Sequence, residues 1–275
     1  MALLNDDAME MHLKDIESND AAVRRRAFEG ILGLGIEAAA ARLVRLLVEP
    51  GGGDDVGARF ALHGLAVHAT RPGAEAERAA YAEALAAALD GDLHVAAKRF
   101  IIGELQLSGR DEAVPALAKL LASDDLAEGA RMALLANPSQ KAVEALREAL
   151  PKAKGRLRVG ILHALGLRND AASVRLLLAE ARAADPAARL GAIEALAWIG
   201  APEAEPVIAA GLQEGDERTR RAVVDAYLRL GERLEAAGKR DAARKLYEYL
   251  LVKTESPHVR AAAQAGIERA KAARV

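Results

Sequence analysis

Residues 189–200 read Arg-Leu-Gly-Ala-Ile-Glu-Ala-Leu-Ala-Trp-Ile-Gly, and the chain keeps repeating that phrase. Residues 220–231 read Arg-Arg-Ala-Val-Val-Asp-Ala-Tyr-Leu-Arg-Leu-Gly, and Arg24 to Gly35 and Lys98 to Gly109 share the outline. Looser copies begin at Arg59, Arg158 and Arg260. A phrase recurring every ~30–40 residues marks stacked helical pairs rather than one compact core. Within it, Ala192, Ile193, Leu196 and Ile199 fall at helical spacing and form one apolar stripe.

Each unit therefore reads as helix A, a tight turn, helix B and a polar turn. Gly35, Gly109 and Gly200 stop helix A, since glycine tolerates a positive φ. Helix B follows, as in Ala113–Leu121, and Pro115 and Pro206 belong in its first turn, where a missing N–H costs little. Ser123-Asp-Asp125, Asp185-Pro186, Asp216 and Ser256-Pro257 offer capping oxygens before the next helix A, and Asn137-Pro138 before a helix B. The units run approximately 20–53, 54–91, 92–124, 125–154, 155–185, 186–215 and 216–255, with a half-unit from 256. Pro50-Gly-Gly-Gly-Asp-Asp55 is a loop between two units. The expected fold is all-α, an α/α superhelical solenoid of about seven hairpins with a terminal capping helix at each end.

Composition narrows the function classes. Hydrophobic residues make up 52% of the 275 residues and aromatics only 3%, so the apolar content is mostly Ala and Leu, strong helix formers. A net charge of −2, from 38 basic and 40 acidic side chains, gives no global field for nucleic acid or an anionic membrane. Without cysteine there is no disulfide, thiolate or Cys-bound zinc. No apolar run reaches the ~18 residues of a membrane span, and the start lacks the basic region of a signal peptide. A cytoplasmic location is the default expectation, although a leader already removed would leave no trace.

The pattern Asp-x-x-Val/Ala-Arg, then Ala and Leu at helical spacing, then Gly, then Ala-Val-Pro-x-Leu is carried best by Asp20, Val23 and Arg24, by Ala188 and Arg189, and by Ala113-Val-Pro115. It resembles the HEAT-repeat family, in particular its short bacterial form similar to phycobilisome-lyase HEAT-like repeats. Tyr227, Leu230, Gly231, Leu234, Gly238, Ala243, Tyr247 and Leu250 instead resemble a tetratricopeptide signature whose closing proline is displaced to Pro257. These resemblances imply residues 1–19 as a capping helix, 20–215 as HEAT-like repeats, and 216–275 as a tetratricopeptide-like hairpin and terminal helix continuing the same solenoid. Families of this kind are mainly binding scaffolds.

A base opens helix A in every unit: Arg24, Arg59, Lys98, Arg131, Arg158, Arg189, Arg220 and Arg260. A cation there opposes the helix dipole, so its recurrence needs a reason. The favoured reading is a structural ladder onto turn aspartates such as Asp20, Asp92, Asp125, Asp185 and Asp216; the competing one is a phosphate-binding stripe. His63 and His68 are five apart, about 140° round a helix, and no His-Glu-x-x-His motif occurs, so no metal site is expected. No cofactor and no catalytic residue is expected either. Concave surfaces of such arrays are lined by helix B, where Arg45, Glu112, Lys119, Lys141, Glu148 and Glu248 should point. Their mixed signs fit a protein or peptide partner. Trp198, the single tryptophan, occupies a slot held elsewhere by Gly33, Leu107 and Arg229, and is a candidate partner contact on the outer layer. The expectation is a non-enzymatic, monomeric scaffold binding no nucleic acid or membrane; the alternative is a lyase- or glycosylase-like enzyme or nucleic-acid-binding protein using the concave face.

Overall fold

A computed structural model describes residues 6–213 and 216–272. Those residues form sixteen α-helices and four one-turn 3-10 segments, with no strand among them. Residues 1–5 and 273–275 of the expected end caps, and the expected boundary at residue 215, lie outside the described residues.

Two compact units divide the chain, one up to Ala145 and one from Leu146. The first begins with α1 (Asp6–Asp15), which lies within the segment expected to form a capping helix. Three hairpins follow: α2 (Ala21–Leu32) with α3 (Ile36–Val44), α4 (Val56–Ala69) with α5 (Glu75–Leu89), and α6 (Val95–Ser108) with α7 (Val114–Leu120). Next comes α8 (Ala127–Ala136), and α9 (Gln140–Ala149) runs across the division. The core of this unit is Ile31, Leu43, Leu62, Leu65, Tyr81, Leu85, Ile101 and Leu105, all fully buried. Tyr81 places its hydroxyl in that core by donating to Leu62 O at 2.9 Å.

The second unit pairs α10 (Gly155–Leu167) with α11 (Val174–Glu180), α12 (Pro186–Ile199) with α13 (Glu205–Gly211), and α14 (Glu217–Ala236) with α15 (Arg240–Lys253). It ends with α16 (Pro257–Ala272). The phrase of residues 189–200 forms α12, which packs against α10, α14 and α11. Contact on several sides explains why Ala188, Ala192, Ala195, Leu196 and Ala197 are all buried and the helix is apolar nearly all round. Small residues allow close approach: a Cβ added at Gly166 of α10 would stand 2.6 Å from Ala195 Cα. Farther on, Tyr247 of α15 lies between two glycines, Gly231 of α14 and Gly266 of α16, where an added Cβ would fall within 2.6 Å of its ring.

Local signals hold with two corrections. Gly35 and Gly200 take positive φ, 82° and 74°, and Pro115 and Pro206 sit in the first turns of α7 and α13. Gly109 instead has φ −68° and ψ 140°. Space decides that position, since a Cβ would come 2.6 Å from Leu105 O and 2.9 Å from Ala113 Cβ. Asp20, Asp185 and Asp216 cap α2, α12 and α14, accepting from Ala22 N (2.7 Å), Ala187 N (3.0 Å) and Thr219 N (2.8 Å). The Ser123–Asp125 turn does not cap by side chain: α8 starts after Leu126, with Ala127 N donating to Ser123 O at 2.9 Å. Asn137 is buried and bonds both ways, accepting from Ser139 N at 2.9 Å and donating to Arg110 O at 2.9 Å.

Candidate functional site

The ladder of bases onto aspartates is largely replaced by something else. Arg24, Arg189 and Arg260 each donate to the carbonyl six residues earlier: Ser18 O at 2.6 Å, Ala183 O at 3.2 Å and Thr254 O at 3.2 Å. Those carbonyls lie just past the ends of α1, α11 and α15. Each arginine thus serves the electronegative C-terminus of the preceding helix, which removes the apparent conflict with its own helix dipole. Asp20, Asp185 and Asp216 turn a carboxylate oxygen onto a backbone N–H instead and cap the helix that follows. Arg59 forms a two-point pair with a turn aspartate, Asp55, at 2.8 and 2.7 Å. Arg158 grips Glu180 at 2.8 Å through two nitrogens, and Arg131 holds Glu128. Asp125 pairs with Arg99 instead.

The six helix B candidates divide by environment. Glu112 is mostly buried and accepts from Arg78 and from Arg110 N, so it holds α5 to the turn before α7. Lys119 pairs with Asp90 at 3.0 Å, Lys141 with Asp111 at 2.9 Å and Glu248 with Arg244 at 3.4 Å, all exposed. Glu148 is exposed. Arg45 is exposed just past α3 and lines a cavity of about 730 Å³, together with Met9, Leu13, Leu46 and Val48. This cavity lies against α1, α3 and α4, beside the glycine loop. Gly57 lets α4 approach α1 there, since a Cβ would stand 2.8 Å from Leu13 O.

Trp198 is half-buried near the end of α12. The Arg229 guanidinium lies 4.1 Å from its ring centroid and that of Arg233 5.7 Å. Arg233 is fixed by donating to Trp198 O at 2.7 Å and to Asn169 Oδ1 at 2.9 Å. Asn169 has φ 52°, a left-handed conformation that asparagine accepts better than most residues. Arg229 and Trp198 occupy the same phrase slot in successive units, so the tolerance of that slot for Arg and Trp reflects stacking of one on the other.

Sequence reasoning missed the distribution of exposed apolar side chains. Val56, Phe60 and Val67 of α4 are 57%, 55% and 58% exposed, Leu107 of α6 49% and Met132 of α8 40%. All five belong to helices of the A type, and α4, α6 and α8 pack in succession. The α4 positions are spaced four and seven apart, a ridge legible in the sequence as a second stripe beside the core-facing one.

Three histidines face glutamates on another helix. His63 Nδ1 lies 3.2 Å from Glu104 Oε1, His68 Nε2 3.2 Å from Glu77, and His163 Nε2 3.5 Å from Glu194. Among the described residues no three His, Cys, Asp or Glu are grouped to hold a metal. Glu104 is buried, and burial pushes its carboxyl above the ordinary glutamate range against the pull of His63. A carboxyl so raised favours folding fully in acid and loses that contribution as the pH rises through its folded-state pKa. Glu104→Gln is therefore expected to flatten the stability–pH profile above ~pH 4.3, the ordinary glutamate value. Urea midpoints between pH 4 and 8 measure it; parallel wild-type and variant profiles would refute it.

Comparison with known proteins agrees with this architecture. A mutant of Kap121p, a HEAT-repeat karyopherin, superposes with a TM-score of 0.60 over 96% of this chain at 12% identity. The chain spans about a third (33%) of that protein's length. Looser similarities reach a structure from work on the cadherin–beta-catenin interaction (TM-score 0.41, 18% identity, 95% of this chain and 60% of that one). They also reach human deoxyhypusine hydroxylase (TM-score 0.33, 18% identity, 96% and 95%). No curated protein sequence matches the chain. No helix of the described residues is long and apolar enough to cross a membrane. The family model for HEAT repeats matches residues 143–229, and the all-helical fold is similar to that of HEAT-repeat solenoids.

Proposed function

We propose that the chain is a non-catalytic helical-repeat scaffold that binds a protein or peptide partner. One observation carries this reading: α4, α6 and α8 leave Val56, Phe60, Val67, Leu107 and Met132 in solvent on successive helices. Large apolar side chains gathered on one row of helices are what an interaction surface supplies. The helix B row is less suited than the sequence suggests, because Lys119, Lys141 and Glu248 already pair with neighbours and Glu112 is built into a turn. Arg45, beside the cavity, is the member best placed to assist. That cavity is lined by Met, Leu, Val and charges of both signs rather than by clustered Tyr, Trp and carboxylates, which favours a scaffold over a lyase- or glycosylase-like enzyme. Within the same reading the repeats are of the short bacterial type, residues 216–255 form a tetratricopeptide-like hairpin, and the chain acts as a monomer.

A photo-crosslinking residue tests this. Placed at Phe60 it should trap a discrete protein partner from cells of the source, and at exposed Glu148 far less. In the Phe60 crosslinker background Val56→Glu with Val67→Glu should abolish capture while leaving the melting temperature within about 2 °C, as expected for exposed positions. Equal trapping at both sites, or none, would sink the proposal.

A further inference from the structure

Arg229 differs from the other arginines around it. Arg233 spends its donors on Trp198 O and Asn169 Oδ1. Arg229 stacks on the Trp198 ring at 4.1 Å and makes no ion pair or hydrogen bond among the described residues. Its fork of N–H donors is consequently held in place by the indole and left for an external acceptor. Leu167, 50% exposed, ends α10 two residues before Asn169, whose side chain touches Arg233. The second unit thus gathers an apolar side chain at the end of α10, an aromatic face near the end of α12 and a free guanidinium in the C-terminal half of α14, the composition enriched at binding hot spots.

We propose that this edge is a docking site for a peptide segment that carries one carboxylate beside an apolar side chain. A carboxylate of the segment takes the Arg229 fork in a two-point pair, and the apolar side chain covers Leu167 and the open part of Trp198. Stacking has already restricted Arg229, so binding orders less of it than a free surface arginine. Charge selects the partner class. Exposed Asp225 and Glu232 lie four residues before and three after Arg229 on α14, one turn to either side. A single carboxylate fits between them, whereas the continuous phosphate charge of a nucleic acid meets both. This site deepens the scaffold reading and rests on it, but occupies different residues from the α4–α6–α8 row.

The single tryptophan supplies the readout. The full chain is titrated with the acetylated and amidated hexapeptide Ser-Gly-Glu-Leu-Gly-Ser, with a counterpart bearing Lys in place of Glu, and with a twelve-nucleotide oligo-dT. The acidic peptide is expected to shift Trp198 emission saturably. Arg229→Gln should weaken it at least tenfold, and Arg229→Lys by less, with both variants keeping the wild-type helical circular dichroism. The proposal is overturned if the acidic peptide leaves emission unchanged, binds wild type and Arg229→Gln alike, or is matched by the basic peptide or the oligonucleotide. Loss of this site with crosslinking at Phe60 intact removes only the acidic-peptide assignment; silence at both removes the scaffold reading too.

Discussion

Gly166→Val is expected to destabilise the second unit by about 3 kcal/mol or more, the upper end of overpacking effects. Gly166 is a buried residue of α10, and a Cβ there would stand 2.6 Å from Ala195 Cα, 3.0 Å from its Cβ and 3.3 Å from its carbonyl oxygen. Two of those three atoms are backbone, so no rotamer change relieves the clash; α10 and α12 must separate. Their separation would uncover Ile161, Leu165, Ala192 and Leu196, all buried. Gly166→Ala should cost less, because one methyl group asks for a smaller shift. Gly103→Ala is the control: it changes the same residue type within α6, yet nothing lies within 4 Å of the added Cβ. Exchanging a mid-helix glycine for alanine in open space should stabilise by roughly 0.5–1 kcal/mol. Thermal and urea unfolding of the three variants measures the series. If Gly166→Val and Gly103→Ala shift the midpoint in the same direction, close packing of α10 on α12 is not what fixes the glycine.

These two glycines show where sequence reading stops. Both sit within copies of one phrase, and nothing in the spacing tells which faces a neighbouring helix and which faces solvent. Periodicity along one helix fixes the buried stripe, so the hairpins and the core positions Ala192, Ile193 and Leu196 were legible. So were Pro115, Pro206, Gly200 and the Asp20, Asp185 and Asp216 caps, whose signals act within a few residues. Partners chosen across a turn were not. The phrase-leading arginines recur in register with aspartates, which suggests pairing, but where Asp20 and Asp185 cap their helices the arginine of the phrase turns to a backbone carbonyl. The backbone carbonyl that does receive it carries no sequence signature. The candidate surfaces show the same limit: Glu112 falls in the turn before α7 and Arg45 just past α3, and whether Lys119 meets Asp90 depends on residues a full unit away.

Arg147→Met should produce the second large effect, a loss of about 2–4 kcal/mol. Arg147 reaches from α9 to the turn after α10, where it donates to both carboxylate oxygens of Asp170 at 2.8–3.0 Å. The Asp170 side chain is only 5% exposed and its second partner is the buried hydroxyl of Ser173. Removing the guanidinium leaves a buried carboxylate with one neutral donor, and an unpaired buried charge costs ~3–5 kcal/mol; the 27% exposure of Arg147 and the retained serine bond reduce that figure. Asp170→Asn in the Arg147→Met background should recover part of the loss by removing the stranded charge, so the two changes must be non-additive. Asp170 also anchors the turn itself, its N–H donating to Leu165 O at 3.1 Å beside the left-handed Asn169. The pair therefore ties α9 to the geometry of the next hairpin, and in a repeat chain stability resides in such neighbour contacts. Loosening that turn should disturb the Asn169–Arg233 bond and, through it, the setting of Trp198. A shift of the single-tryptophan emission in Arg147→Met, at temperatures where helix content is unchanged, checks that chain of contacts; additive energies and an unmoved emission would show the pair to be a surface ornament of one turn.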